Sequence, residues 1–436
     1  MKANTKKFPL LVLGYDYSLE TLTGQQPHPL VEQADILCAG SKQLEILAPR
    51  LPANLELLPV DAGLERLMEK LRQLRDQGRK ITVLAGGDPL FFGLGATLSR
   101  HFSAGELAIY PAVSSMQQAC ARLALPWQDM LFVSLHGRLH TDNCLLNLAQ
   151  AALQDKPVCV LLDPASAPSK IAAYLLDRGR TNFRLHYFRE LQNPGLEKRL
   201  SLTLQEACSR DFDFHDLPGT GSHASLLILQ PLPGDRKHPV PRPYLGIPDN
   251  EFEHRAGLIT KQPVRAAILA ALRLRPRHTL FDLGAGCGSV GLEACALLPQ
   301  GHVYAVEQNP ERVSLIKANR QKHGAANLEI IQAEAGHFLQ NAPQTPERIF
   351  IGGGLDKNPE LVTVAWNKLE AEGRLVIACV LLGTLEKSRG RLESLGSTVE
   401  ISSIQAALAE PLGGSLRLKA MNPVFILAAT RPAGAG

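Results

Sequence analysis

Leu280–Glu293 reads LFDLGAGCGSVGLE. The apolar run Thr279-Leu280-Phe281 stops at Asp282, and Gly284, Gly286 and Gly288 follow at alternate positions. Val290, Leu292 and Ala294 then open a helical pattern. Glycines so spaced let backbone approach a ligand at a strand-to-helix turn, where the first helical N–H groups point outward. A second apolar run, His302–Val306, ends in Glu307, placed to accept from a ribose diol at the tip of the next parallel strand. The pattern predicts a nucleoside-cofactor site. Gly286-x-Gly288-x-x-Gly291 also fits a dinucleotide fingerprint, so an NAD(P) oxidoreductase stands beside an S-adenosylmethionine methyltransferase at this point.

Two further features favour the methyl donor. Asp282 ends the strand directly before the glycines, and Glu334, in Ala333-Glu334-Ala335, follows the third strand. A carboxylate there can accept from an adenine amino group, which matters when no pyrophosphate anchors the ligand. After the fourth strand, amino-methyltransferases of nucleic acids place Asn/Asp-Pro-Pro-aromatic. This chain has Ile351-Gly352-Gly353-Gly354 instead, which lets a bulky substrate pass over bare backbone. A sulfonium methyl is already activated, so catalysis is mostly alignment and no acid–base pair is required.

The chain has 436 residues and 47.3 kDa, enough for two or three domains, with 45% hydrophobic and 20% charged residues. The net charge of +4 is mild and spread over both halves, unlike the concentrated basic face of a nucleic-acid binder. Eight cysteines show no C-x-x-C spacing and read as thiols of a reducing compartment. His136 and His140 are four apart, but Gly137 between them argues against a metal-binding helix face, and His254 reads as another loop histidine; no metal site is expected. No run approaches a membrane span and no leader pattern is recognised, so a cytoplasmic protein is expected.

In the first half, Leu10–Leu13, Ile81–Leu84 and Leu107–Tyr110 read as strands separated by helices. Ile81–Leu84 runs into Gly86-Gly87-Asp88-Pro89-Leu90-Phe91-Phe92-Gly93-Leu94-Gly95, a loop rich in outward backbone N–H groups but without the Lys-Ser/Thr of a P-loop. Ser114 and Ser115 precede the helix Met116–Leu125 and read as its N-cap. Residues 230–246 hold five prolines between charges, an extended linker. Alternating strands and helices on both sides give an α/β chain. The expected division is 1–230, a linker 231–248, and 249–436. Val399–Ile404 and Pro423–Thr430 are expected to close the second sheet as an antiparallel pair.

These motifs together resemble known families. Residues 249–431 are similar to the decarboxylating precorrin C15-methyltransferases, through Ile259-Thr260-Lys261 with Arg265, DLGAGCGSVGLE, Val306-Glu307, Phe350–Gly354 and Asn422-Pro423-Val424. Residues 9–230 resemble precorrin C5-methyltransferases of the tetrapyrrole methylase fold, through GGDPLFFGLG (86–95), PAVSSMQQACARL (111–123) and SLHGR (134–138). The resemblance implies a two-lobed tetrapyrrole methylase fold followed by a Rossmann-like class I methyltransferase with a largely parallel sheet. It implies one S-adenosylmethionine per domain and a precorrin substrate in cobalamin biosynthesis, methylated at C5 and C15 with loss of an acetate carboxyl. Gly86, Gly87, Asp88, Ser114 and Ser115 map onto the first cofactor site. Asp282, Gly284, Gly286, Gly288, Glu307, Glu334, Gly352 and Gly353 form the second. Arg138, Lys261 and Arg265 are the candidates for substrate carboxylates. A homo-oligomer is expected, with neither nucleic acid nor membrane as partner. One departure stands out. Tetrapyrrole methylases carry a Gly-x-Gly-Pro-Gly loop after the first strand, where this chain has Gly14-Tyr15-Asp16-Tyr17-Ser18. That change is expected to put side chains where substrate approaches, which raises the alternative of a first half that only binds.

Overall fold

The computed structural model describes residues 7–15, 29–60, 63–135, 142–162, 166–191, 197–210, 212, 225–232, 242–255, 257–342 and 344–433. Arg138, the pair His136 and His140, Asp16-Tyr17-Ser18 and most of the Pro-rich linker lie outside them.

The chain is α/β throughout and divides into two compact units. The first holds two sheets. Strands β1 (Leu10–Tyr15), β2 (Ile36–Ala39), β3 (Glu56–Pro59), β4 (Ile81–Gly86) and β5 (Leu107–Tyr110) lie in the order β3-β2-β4-β1-β5, all parallel. Near-continuous burial of β1, β2 and β4 is what a parallel sheet covered on both faces demands. The second sheet is mixed, in the order β6 (Leu131–Ser134), β7 (Val158–Leu161), β10 (Ser225–Pro231), β8 (Phe183–Arg189) and β9 (Lys198–Thr203).

The second unit is built on β11 (Thr279–Leu283), β12 (His302–Glu307), β13 (Leu328–Gln332), β14 (Arg348–Ile351), β15 (Arg374–Cys379), β16 (Val399–Ile404) and β19 (Val424–Thr430). Their order is β13-β12-β11-β14-β15-β19-β16, parallel except for β19, which runs antiparallel to both β15 and β16. The strand alternation of β11 sorts its side chains. Phe281 and Leu283 enter one core with Tyr304, Phe338 and Trp366, and Leu280 enters the other with Ile268, Val290 and Phe350. Phe281 meets Phe338 edge-on at 4.9 Å. Each such side chain, fully buried, contributes about 1.5–3 kcal/mol. The parallel strands thus all present their carboxyl ends on one edge.

The second unit also takes Leu145–Asp155 and Ala172–Phe183 from the first half of the sequence. The cause is local. Arg178, almost fully buried, pairs with Glu329 of β13, and Arg320 pairs with Asp177. The Gln150 amide donates to the Gly301 carbonyl at 2.6 Å. The remaining pair, β17 (Ala407–Leu412) and β18 (Ser415–Ala420), forms a separate hairpin between β16 and β19. Among the described residues no helix is long and apolar enough to cross a membrane, and none of the eight cysteines forms a disulfide.

Candidate active sites at two sheet edges

In the second unit the glycine loop closes over the ends of β11 and β12. The N–H groups of Gly284 and Ala285 donate to the Val306 carbonyl at 2.9 and 3.1 Å. Gly288 is the N-cap of the helix Ser289–Leu297 with φ +83°, a conformation that a side chain would strain. Glu307 ends β12 with its carboxylate buried. One oxygen accepts from the Gly286 N–H at 3.0 Å and the other from the Asn309 N–H at 3.0 Å. Two N–H groups leave lone pairs on both oxygens, so the carboxylate can still accept from a diol.

The loop after β14 lies opposite. The Gly352 N–H donates to the Leu283 carbonyl at 3.0 Å, and a Cβ on Gly284 would sit 3.5 Å from the Gly353 backbone. Glu334 caps the helix Ala335–Asn341 by accepting from the His337 N–H at 2.8 Å. Burial pushes its carboxyl up, but hydrogen bonds from Gly336, His337 and Asn358 outweigh that and hold it below the usual range. Asn358 follows the glycine run after β14, so the loops after β13 and β14 are joined. Glu307, Glu334, the glycine loop and Gly352–Gly354 are thereby gathered on one edge. Added Cβ atoms on Gly286, Gly353 and Gly354 would meet nothing within 4 Å, so the backbone faces open space there. Carboxylate acceptors after two strands, with bare backbone between them, fit a nucleoside sulfonium ligand.

Two sequence candidates are corrected by the geometry. Asp282 turns beneath the helix Ser289–Leu297 and accepts from the Gly291 N–H at 3.0 Å, with its other oxygen unpaired. Desolvation raises its pKa to about 7, relieved by the Gly291 N–H and reinforced by the Glu307 charge. It fastens the helix to the strand instead of reaching into the loop. Arg265 is the larger correction. Its guanidinium is fully buried, 2.7 Å from Glu293 and 2.9 Å from Asp249, and donates to the carbonyls of Ile247 and Thr260. Every arm is committed within the protein, so no substrate carboxylate reaches it. Lys261, at the N-cap of the helix Gln262–Leu272, is part-exposed and 3.7 Å from Asp249. Sequence reasoning missed Glu293 and Asn319. The Asn319 amide joins the backbone of Glu253 to the Cys287 carbonyl in the glycine loop, at 2.7–2.9 Å. Both are polar residues on apolar helix faces, and that was their only signal.

In the first unit the same edge geometry is built differently. The Gly87 N–H, at φ +65°, donates to the Tyr15 carbonyl at 2.6 Å. Gly14 sits where three backbones meet, and a Cβ there would fall 2.6 Å from the Ala112 nitrogen. The Asp88 carboxylate accepts from the Leu90 N–H at 2.8 Å and shapes its own turn. Ser114 is the N-cap of the helix Ser115–Leu123, its hydroxyl accepting from the Gln117 N–H at 3.2 Å. Gly86, Gly87, Asp88, Ser114 and Ser115 are therefore brought together. Tyr15 does not stand at this mouth. Its ring is buried among Val31, Leu37, Leu44 and Leu84, and its hydroxyl accepts from the Gln43 amide.

Residues 250–431 match the family described as precorrin methyltransferase domain, and residues 28–207 match the tetrapyrrole (corrin/porphyrin) methylases. A precorrin-6Y C(5,15)-methyltransferase [decarboxylating] from a Sinorhizobium species is 29% identical over 404 residues, covering 92% of this chain and 91% of the relative. A probable cobalt-precorrin-6B C(15)-methyltransferase (decarboxylating) from Pyrobaculum aerophilum is 36% identical, covering 42% of this chain and 95% of the relative. A crystal structure of a precorrin-6Y C5,15-methyltransferase from Geobacter metallireducens is 36% identical with a TM-score of 0.42, covering 43% of this chain and all of that one. With both family matches in that order, and a relative of that name aligned over 92% of the chain, the chain belongs to the decarboxylating precorrin-6Y C5,15-methyltransferases.

Proposed function

We propose that the chain methylates precorrin-6Y (precorrin-6B) at the meso carbons C5 and C15 and removes the ring C acetate carboxyl, giving precorrin-8X. Each half holds its own S-adenosylmethionine, and the halves correspond to 1–230 and 249–436. The observation that carries this is the pairing of two separate backbone-lined sheet edges, one after β4 and one after β11, on a single chain. The bound donor supplies a methyl already activated by its sulfonium. In the second half Glu307 accepts from the ribose hydroxyls and Glu334 from the adenine amino group. Gly352–Gly354 admit the flat acceptor over backbone, and Lys261 receives a peripheral carboxylate. In the first half the N–H groups around Gly86–Asp88, with Ser114 and Ser115, line the donor's seat. Catalysis is then alignment in a dry pocket, which asks for no titrating pair. The buried ring of Tyr15 counts against the alternative of a first half that merely binds, while Asp16 and Tyr17 lie outside the described residues.

Mass spectrometry of the product from the whole chain tests the reading. Two added methyls with loss of carbon dioxide are expected, and calorimetry with S-adenosylhomocysteine should count two sites. A product carrying one methyl would confine the activity to one half.

A homo-oligomer and a reducing, cytoplasmic setting belong to the same reading. The hairpin β17–β18 supports the first. Ala407, Ala409, Pro411, Leu416, Leu418 and Ala420 share one face of it, and Leu416 and Leu418 are 69% and 74% exposed. A lone two-stranded hairpin is marginal in water, and a wholly apolar face is complementary to its own copy across a two-fold axis.

A further inference from the structure

Phe92 adopts a strained backbone conformation. Its φ is +52°, a left-handed value at which a bulky aromatic is an outlier and glycine would rest easily. The loop has glycines where packing needs them. At Gly93 and Gly95 an added Cβ would fall 2.7 Å from Pro89. Position 92 is left strained instead. The neighbouring ring already does the structural work: Phe91 packs against Met116, Cys120, Met130 and Phe188 and meets Phe132 edge-on at 5.2 Å. Phe92 rides edge-on against Phe91 at 5.1 Å and turns outward, 52% exposed.

Two more large apolar side chains stand open at the same loop, Leu90 within it at 53% exposure and Val113, whose backbone borders it, at 52%. Gly87 joins them, since a Cβ on it would lie 3.0 Å from the Ser114 Cα and 3.6 Å from the Val113 carbonyl. Exposed apolar side chains therefore border the loop assigned to the methyl donor. Whatever accepts the methyl must approach past them, in line with the donor. The face of a large flat ring gains the most apolar contact from them.

We propose that Phe92, flanked by Leu90 and Val113, is the seat for one face of the tetrapyrrole acceptor in the first half. It is a positioning residue that presents the meso carbon to the donor. The inference rests on the reading that Gly86–Asp88 lines a donor site.

The test uses the full chain with Phe92→Gly and Phe92→Leu. Three quantities are followed: thermal unfolding, S-adenosylhomocysteine stoichiometry, and product mass against substrate concentration. Phe92→Gly should relieve the strained backbone and raise the first unit's midpoint by about 2–4 °C. It should keep both cofactor sites and raise the KM for the C5 methyl about tenfold, sparing the C15 methyl. Phe92→Leu, apolar but without a ring, should fall between. If Phe92→Gly leaves that KM unchanged while two sites bind, the seat is wrong and the donor assignment stands. A wild-type chain that binds one S-adenosylhomocysteine overturns the donor assignment itself, whatever Phe92 does.

Discussion

Replacing Arg265 with methionine separates a structural cation from a substrate-binding one. In the folded chain the guanidinium is fully buried, 2.7 Å from a Glu293 carboxylate that is itself almost inaccessible. Glu293 also accepts from the N–H groups of Gly246 and Ile247 at 3.1 and 3.0 Å, so it cannot swing out to water. Removing the cation leaves a buried carboxylate with neutral donors alone, which costs about 3–5 kcal/mol. For a unit of this size each kcal/mol moves the midpoint by about 2–4 °C, so a fall of roughly 10 °C is expected in the second unit's transition. Differential scanning calorimetry of the whole chain resolves that transition from the first. The double variant Arg265→Met with Glu293→Leu should recover part of the loss, because no unpaired charge remains. A single variant that unfolds like the parent but needs far more precorrin for half-maximal rate would return Arg265 to the substrate site.

Other perturbations read different parts of the molecule. Glu307→Gln keeps an acceptor for the Gly286 N–H but loses the charge. Titration with S-adenosylhomocysteine should show one site weakened by about 10–100-fold, on the order of 1.4–3 kcal/mol, with the other unchanged. Asp282 has a folded pKa of about 7, above its ordinary 3.8, so the folded chain keeps a proton that the unfolded chain releases. That contribution is full below about pH 4 and is lost as pH rises through about 7; Asp282→Asn should flatten the second unit's stability across this window in denaturant melts. Leu418→Asp puts a charge on the apolar face of the hairpin and should shift sedimentation toward the monomer while the isolated fold keeps its melting midpoint.

What could be read from sequence follows how local each feature is. The placement of the glycine loop and Glu307 was readable because both lie at strand ends. Strand periodicity and glycine spacing place both within a few residues. The same holds for Gly86–Asp88 and for the antiparallel closure by β16 and β19. Arg265 was not readable, because its partners Glu293 and Asp249 converge only after the helices pack; the sequence shows a cation near a helix start and nothing of what buries it. Tyr15 failed for a related reason. A strand end fixes which face a side chain takes, and alternation with Leu13 sends the ring into the core instead of the mouth. The hairpin did leave a signal, Leu412-Gly413-Gly414-Ser415 between alternating leucines, which is a two-residue turn pattern. Its apolar positions enter neither core of the second unit among the described residues. An apolar face that folding leaves uncovered is visible as such only in three dimensions, and the same reasoning singles out Phe92 on the other half.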